Sequence, residues 1–293
     1  MGPWMPRRHQ QTDLDLVRRL PYGFAALLIG LMTALWNTQA RAQPAREETN
    51  AEYEAETVNP VTHFYTMPLR YKASFEDGFY NATASYFQLN NAVTPFRLDE
   101  DWFLIARSSG SYVLQPPKKQ GESWGDGFNN FQTTLFLSPA RGDRFFWGAG
   151  PVISLPTATN TATGQNKWAL GPSFAFVWRG SDEWTIGLVT NNVWSGGTPQ
   201  GNDTTNSFLL NPIASYRFGD GWSLGTSPNI TSNWASKSDK RWTVPLGGAL
   251  GKAFKIGSQP MSIKYESYYN VIRPGDHASI WGAQLTLTLL FGR

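Results

Sequence analysis

The sequence predicts an all-β protein, an antiparallel barrel of about twelve strands, and three observations lead to this fold class. Apolar and polar residues alternate with a period of two along most of the chain after residue 58, which is the periodicity of a strand and not of a helix. Pairs of tryptophans recur near the two ends of one strand face. Short turns alternate with longer polar loops, as they do in an antiparallel meander.

The composition excludes several other classes of protein. Only 16% of the 293 residues are charged and 13 are Trp, which disfavours long disordered segments and coiled coils. No Cys is present, so disulfide frameworks, zinc–cysteine sites and thiol catalysis are excluded. The formal net charge of +3 resides in residues 1–42, which hold five Arg and two Asp. The remaining basic and acidic side chains balance, so a nucleic-acid-binding surface is not supported.

Residues 1–42 have the features of a secretory signal peptide. Arg18 and Arg19 provide positive charge, residues 22–36 form an apolar run without charge, and Ala40-Arg41-Ala42 is an A-x-A cleavage site. The run is short for a membrane anchor, although an uncleaved anchor is the alternative. We therefore expect cleavage after Ala42 and export from the cytoplasm.

The exported chain divides into an arm and a barrel. Residues 43–58 are polar and rich in Glu, which predicts a periplasmic arm that is either a short helix or a solvated tail. Residues 59–293 carry the strand pattern, and the last strand shows it most clearly: Trp281, Leu285 and Leu289 share one face of an alternating segment. The predicted strands are 61–72, 79–97, 102–113, 128–138, 144–155, 167–179, 184–194, 207–218, 222–234, 241–256, 261–272 and 279–291.

Tryptophan spacing favours a transmembrane barrel over a soluble β-sandwich, which is the alternative. Trp168 and Trp178 lie ten residues apart on one face, and Trp184 and Trp194 repeat this spacing. Ten residues rise about 33 Å along a strand, or roughly 25 Å when the strand is tilted, which matches the apolar band of an outer-membrane barrel. An aromatic girdle is therefore predicted at each edge of the band, formed by Trp168, Trp178, Trp184, Trp194, Trp222 and Trp234.

The lengths of the connections support the same placement. Outer-membrane barrels have short periplasmic turns and longer extracellular loops, and an even number of strands places both termini on the periplasmic side. We therefore expect the protein in the bacterial outer membrane, with the lipid bilayer and the barrel-assembly machinery as its partners. The predicted short turns are 98–101, 139–143, 180–183, 219–221 and 257–260. The predicted longer loops are 114–127, 156–166, 195–206, 235–240 and 273–278.

Five charged residues are predicted to face the lumen. With the apolar faces toward lipid, Arg107, Lys264 and Glu266 point inward near mid-strand, and Arg179 and Arg217 point inward near the periplasmic end. A charge on the lipid face would cost about 2–4 kcal/mol at mid-bilayer, which favours the inward orientation. Such charges can set the selectivity of a pore. Alternatively, they pair with each other and brace a closed lumen, and the sequence leaves both interpretations open.

A series of short motifs resembles a family of bacterial outer-membrane β-barrel transporters, those grouped with the phenol meta-cleavage-pathway outer-membrane proteins. The motifs cover nearly all of the exported chain, and their order is more specific than any one of them. The resemblance implies a barrel with a role in transport, without naming a solute or functional residues. The motifs are Asn59-Pro60-Val61-Thr62, Arg97-Leu98-Asp99-Glu100-Asp101-Trp102, Gly150-Pro151, Leu155-Pro156-Thr157-Ala158-Thr159, Lys167-Trp168-Ala169-Leu170-Gly171-Pro172, Asn191-Asn192-Val193-Trp194-Ser195, Phe208-Leu209-Leu210-Asn211-Pro212, Asp220-Gly221-Trp222, Arg241-Trp242-Thr243-Val244-Pro245 and Tyr268-Tyr269-Asn270-Val271.

The sequence offers little for catalysis. His277 lies beside Asp276 and close to Ser279 in a predicted loop, and His63 opens the first predicted strand. A Ser–His hydrolase is therefore a remote alternative, and we expect no enzyme, no cofactor and no metal site.

The predicted function is the passage of small solutes through the lumen, apolar or aromatic ones among them. The alternative is a non-conducting structural or adhesive barrel that acts through loops 114–127 and 195–206.

Overall fold

The computed structural model describes residues 48–142, 144–196 and 206–292. The predicted signal peptide, the beginning of the arm and most of loop 195–206 lie outside the described residues. Within the described part of the chain, no helix has the length and apolar character needed to span a membrane.

The described strands form one closed antiparallel sheet. Strand β1 pairs with β14 as well as with β2, so the sheet has no free edge there, and the pairing continues around the barrel through β12 and β13. The strands are β1 (Tyr65–Asp77), β2 (Ala82–Arg97), β3 (Trp102–Gln115), β4 (Gly125–Phe128), β5 (Gln132–Pro139), β6 (Phe145–Ser154), β7 (Ala169–Trp178), β8 (Trp184–Trp194), β9 (Asn206–Phe218), β10 (Trp222–Thr226), β11 (Ile230–Asn233), β12 (Trp242–Ile256), β13 (Gln259–Ile272) and β14 (Trp281–Phe291).

These segments make twelve wall strands. Both β4 and β5 pair with β3, and both β10 and β11 lie between β9 and β12, so each of these two pairs occupies one position in the wall. The predicted fold class, an antiparallel barrel of about twelve strands, is confirmed.

The two ends of the barrel differ in their connections. One end, called here the short-turn end, carries the turns 98–101, 179–183, 219–221 and 257–258. The opposite end is called the long-loop end.

The first strand begins later than predicted. The alternating pattern suggested a strand from residue 61, but β1 starts at Tyr65. Local turns take the place of sheet pairing before it: the Val61 amide donates to the Asn59 side chain, and the Phe64 amide donates to Thr62 Oγ1. Because these side chains satisfy the backbone, residues 58–64 need no neighbouring strand. The segment lies inside the barrel.

The arm forms a short helix, α1 (Asn50–Thr57), with Glu54, Ala55 and Glu56 buried. Its first turn is closed by a capping box, in which Thr49 accepts from the Glu52 amide and Glu52 accepts from the Thr49 amide. Of the two alternatives that the sequence left open, residues 50–57 therefore adopt the helix and not the solvated tail. Residues 50–64, helix α1 and the segment after it, are called the N-terminal plug.

An apolar cluster sits inside the barrel, where the plug meets the wall. Val61 is fully buried among wall residues that include Phe136 and Ile213. Gly148 permits this approach, because a Cβ at that position would lie 2.9 Å from Val61 Cγ1 and 3.0 Å from Phe136 Cβ. The complete cluster is Val61, Val93, Ile105, Phe136, Ala175, Val189 and Ile213. The plug is thus packed into the lumen by apolar contacts as well as polar ones.

One wall strand is interrupted halfway. Strand β10 ends at Thr226 and β11 begins at Ile230. The Asn211 side-chain amide donates to the backbone carbonyls of Ser227 and Pro228, and the Ser227 amide donates to the Tyr268 hydroxyl. Side chains therefore replace the sheet hydrogen bonds at the break, where proline has no N–H to contribute.

Candidate functional site

The lumen contains a polar chamber between the plug and the wall. Its free volume is about 90 Å³, whereas an engineered apolar cavity of about 150 Å³ is known to hold benzene. Strands β1, β2, β3, β9, β13 and β14 contribute to its walls. Asn, Ser and Thr side chains dominate the lining, and its charged members are Glu56, Arg70, Arg107 and Lys264.

Glu266 on β13 is the centre of a buried polar cluster in the chamber wall. Its side chain is 1% exposed. Arg70 Nη2 and Lys264 Nζ lie 3.4 Å and 3.5 Å from its two carboxylate oxygens. Tyr268 donates to Oε1 at 2.9 Å and Gln284 donates to Oε2 at 2.7 Å. Both oxygens are therefore fully engaged.

Strand register explains why these side chains meet. Lys264 lies opposite Thr286, and Thr286 lies opposite Arg70, so the three form one row across β13, β14 and β1. Glu266 lies opposite Gln284 in the next inward row. Residues in such rows share one face of the sheet. For Lys264 and Glu266 the geometry is the paired arrangement, one of the two that the sequence left open.

Arg107 is placed differently. It lies on β3 opposite Val93 of β2 and Thr134 of β5, and it lines the chamber. Within the described residues its guanidinium makes no hydrogen bond or ion pair. Arginine carries its charge at every accessible pH and offers five N–H donors. The chamber therefore holds a cation with unused donors.

Glu54 anchors helix α1 to the wall. Its carboxylate accepts from Ser223 Oγ at 2.6 Å and from Ser262 Oγ at 2.8 Å, on β10 and β13. Glu54 belongs to the plug and lies outside the wall strands. Burial raises its pKa above the ordinary value of 4.5, against the opposing effect of these two hydrogen bonds and of the Lys264 and Arg217 charges.

Glu56 forms the second anchor. Its Oε1 lies 3.0 Å from Arg179 Nη2, and its Oε2 accepts from Thr62 Oγ1 at 2.5 Å. The Arg179 guanidinium also lies 4.7 Å from the centre of the Phe146 ring. One carboxylate thus ties the helix both to the wall and to the segment that follows it.

Arg217 and Arg179 lie near the short-turn end. Arg217 donates to Thr185 Oγ1 at 2.6 Å and to the Asp182 carbonyl, so it stabilises the β7–β8 turn. The first turn of α1 reaches the same end, where Asn50 donates to Asp220 at 2.8 Å. This hydrogen bond, more than the charge of nearby Lys252, lowers the pKa of Asp220.

The structure places the predicted girdle tryptophans on the outside of the barrel. Trp178, Trp184 and Trp222 lie toward the short-turn end, where Trp178 pairs with Phe145 and Trp184 with Tyr216. The other three lie toward the long-loop end. All six side chains are exposed on the outer surface: Trp168, Trp178, Trp184, Trp194, Trp222 and Trp234.

The two histidines of the described chain lie far apart in the fold. The His63 ring stacks on Phe103 with ring centres 4.1 Å apart. His277 is exposed in a loop with its ring 5.2 Å from Phe79, and Ser279 Oγ accepts a hydrogen bond from Asn270. Among the described residues, no nucleophile–base pair is formed at His277. Within the described ranges, no three His, Asp or Glu side chains gather as metal ligands.

Sequence reasoning missed Arg70, Glu54 and Glu56. Arg70 lies in a segment predicted as a strand, and its inward parity was a usable signal. The Thr49-x-x-Glu52 capping box was the signal for α1. The burial of Glu54 and Glu56 had no local signal, because their partners outside the plug lie more than 120 residues away in the sequence.

The fold defines the class of protein: an outer-membrane β-barrel of twelve antiparallel strands, with residues 50–64 inside the barrel. Residues 82–271 match the family described as "Putative MetA-pathway of phenol degradation", and the chain belongs to that family. The resemblance inferred from the motifs is thereby confirmed. A search of curated proteins gave no match.

Several solved structures are similar to this chain at low sequence identity, and the first of them shares its fold. An outer-membrane channel from Pseudomonas putida F1 has a TM-score of 0.58 and 14% identity, with 78% of this chain and 95% of that chain covered. The NanC porin has a TM-score of 0.47 and 9% identity, with coverages of 78% and 100%. Outer-membrane phospholipase A from Escherichia coli has a TM-score of 0.40 and 13% identity, with coverages of 79% and 99%. At such identities the likeness concerns the fold alone.

Proposed function

We propose that the protein is a pore through which small solutes cross the outer membrane along the lumen. The observation that carries this proposal is the polar chamber, since a lumen lined by polar side chains can hold water and admit polar solutes, as it does in porins. Unengaged donors at Arg107 and a lining of Asn, Ser and Thr make the chamber a space that water can fill. Such linings set which solutes enter.

The plug restricts this path. Helix α1 and Val61 occupy the lumen toward the short-turn end, and the remaining chamber of about 90 Å³ is smaller than a cavity that holds benzene. Passage of such a solute therefore requires displacement of the plug. The anchors at Glu54 and Glu56 are a handful of hydrogen bonds and one ion pair, which are contacts that can exchange with water.

We further propose that the solutes include small apolar or aromatic molecules. The family description refers to phenol degradation, and a phenol combines an aromatic ring with a polar group. A lumen with an apolar cluster beside a polar chamber offers both kinds of contact.

The runner-up is a non-conducting structural or adhesive barrel, and the seated plug favours it. This alternative places the function in the loops at the long-loop end, where Lys118 Nζ pairs with Asp77 at 2.7 Å. It predicts that removal of loops 114–127 and 195–206 abolishes function, and that the lumen stays silent.

The deciding experiment is single-channel recording of the detergent-purified protein in a planar bilayer. The full exported chain and a variant without residues 43–58 should be compared. The pore proposal expects small or rare steps from the full chain and larger, frequent steps from the shortened chain. Silence from both proteins, each shown to be folded by heat-modifiable gel mobility, would contradict it.

A further inference from the structure

The chamber carries more positive than negative charge. Three cations line it, Arg70, Arg107 and Lys264, together with one acid, Glu56, which pairs with Arg179. Glu266 in the wall beside them is shared by Arg70 and Lys264. Among the described residues, Arg107 is therefore left without an acidic partner. Uncompensated charge away from bulk water is costly, and a bound counter-ion relieves that cost.

The excess charge can be located. The Glu56 carboxylate is committed to Arg179, and the Glu54 carboxylate accepts hydrogen bonds from Ser223 and Ser262. The Glu266 carboxylate forms ion pairs with both Arg70 and Lys264, and it also accepts hydrogen bonds from Tyr268 and Gln284. It therefore cannot also neutralise Arg107. The uncompensated positive charge therefore lies on Arg107 and on the Arg70 and Lys264 side chains, whose two charges share the single negative charge of Glu266.

Neutral donors surround the same space. Asn90 and Asn91 form a bulge in β2 between Leu89 and Ala92, and both line the chamber. Asn91 has a φ of 60°, a left-handed conformation that non-glycine residues rarely adopt. Bulges of this kind redirect side chains out of the regular alternation. Here the bulge adds amide groups to a face that already carries Thr286 and Thr288.

We propose that the chamber binds a small carboxylate, held by the Arg107 guanidinium and balanced by Arg70 and Lys264. The planar fork of an arginine matches the two oxygens of a carboxylate better than it matches a spherical ion. A free volume of about 90 Å³ is large enough for formate or acetate. The relevance of this site to transport rests on the proposed function. Binding itself does not, because a carboxylate can bind to the closed barrel without conduction.

The test is the thermal unfolding of the detergent-purified full chain. Unfolding is monitored on a gel as the loss of the mobility difference between unheated and boiled protein. Sodium formate replaces sodium gluconate at constant ionic strength, and a parallel series uses sodium chloride. Formate is expected to raise the midpoint, by about 5 °C at a hundredfold excess over its dissociation constant. Chloride is expected to raise it less, because it cannot bind bidentately. Equal effects of the two ions would overturn the assignment to a carboxylate.

Arg107→Gln is the diagnostic variant and Arg97→Gln the matched control, since Arg97 is exposed at the end of β2. Arg107→Gln is expected to lose the formate shift and, in gluconate alone, to be at least as stable as the wild type. Arg97→Gln is expected to keep the whole shift. A formate shift that survives in Arg107→Gln would overturn the proposal.

A second measurement covers the case in which Arg107→Gln does not fold. The ³⁵Cl NMR signal of chloride is expected to be broader in the presence of the wild-type protein than in buffer alone. Formate is expected to remove this extra broadening, whereas gluconate is expected to leave it in place. Absence of any displaceable excess would overturn the site. Formate binding without any conductance steps in the bilayer recordings would refute the proposed pore and would still support the anion site. Failure of the pore proposal and failure of the binding proposal can therefore be distinguished.

Discussion

Glu56 and Arg179 are 123 residues apart in the sequence, and their side chains meet at 3.0 Å inside the barrel. Their exposed fractions are 9% and 20%, so the pair is partly shielded from water. Charge-assisted hydrogen bonds of this kind contribute about 1.5–3 kcal/mol. This contact joins the N-terminal plug to the β7–β8 turn, and it can be weakened through Arg179, which does not line the chamber.

Arg179→Gln is expected to loosen the plug. Glu56 would keep its hydrogen bond with Thr62 but lose its cationic partner. We expect docking to weaken by about 2 kcal/mol, which corresponds to an increase of roughly thirtyfold in the undocked population. The measurement is the open probability in single-channel records.

Arg144→Gln is the control for this prediction. Arg144 is exposed near the same end of the barrel, and within the described residues its side chain donates only to the Gly180 carbonyl, at 3.4 Å. Its removal should leave the records unchanged. If both variants behave like the wild type, Glu56–Arg179 does not hold the plug.

The barrel wall was predictable because its signals are local. Alternation along β14 and the exposure of Trp178 and Trp184 both follow from the period of two, which any strand obeys whatever its neighbours are. The plug was not predictable in this way. Burial of Glu54 depends on Ser223 and Ser262, which only the closed topology brings to the helix. The lumen charges were identified by parity, but parity alone does not say which cations share Glu266.

Glu54 should make docking of the plug dependent on pH. Its pKa is raised by burial above the ordinary value of 4.5, so the docked plug binds a proton more tightly than the undocked one. Docking is therefore strongest below pH 4.5 and weakens as the pH rises through the raised pKa. The open probability should increase from pH 4.5 to pH 8 in the wild type.

Glu54→Gln should remove this dependence and keep the plug docked at neutral pH, because an amide can accept from one serine and donate to the other. Glu183→Gln is the matched control, since Glu183 is an exposed acid whose pKa is lowered by its hydrogen bond with Ser181. That variant should retain the wild-type profile. A Glu54→Gln protein with an unaltered pH response would show that Glu54 is not the titrating group.

Val61→Ala should destabilise the packed plug through the apolar cluster. Val61 is fully buried against Phe136 and faces Gly148 across a close contact. Loss of two buried methyl groups costs about 2 kcal/mol. Limited proteolysis of residues 50–64 should be faster, while the heat-modifiable mobility of the barrel stays the same.

Val58→Ala is a graded comparison, because Val58 packs against the cluster and is only partly buried. Its effect should be smaller than that of Val61→Ala. Equal protease resistance of Val61→Ala and the wild type would mean that the apolar cluster contributes nothing to plug docking.

Glu266 and Lys264 should set ion preference with opposite signs. Glu266→Gln keeps hydrogen-bonding capacity toward Tyr268 and Gln284 but leaves Arg70 and Lys264 without their carboxylate. We expect the ratio of anion to cation permeability to rise about threefold, because one negative charge leaves a narrow lumen. Lys264→Gln removes a positive charge from the same cluster and should lower the ratio by a similar factor. The reversal potential in a potassium chloride gradient measures both, with Glu122→Gln in an exposed loop as the neutral control. Shifts of the same sign in the two variants would show that loss of the cluster, and not its charge, controls permeation.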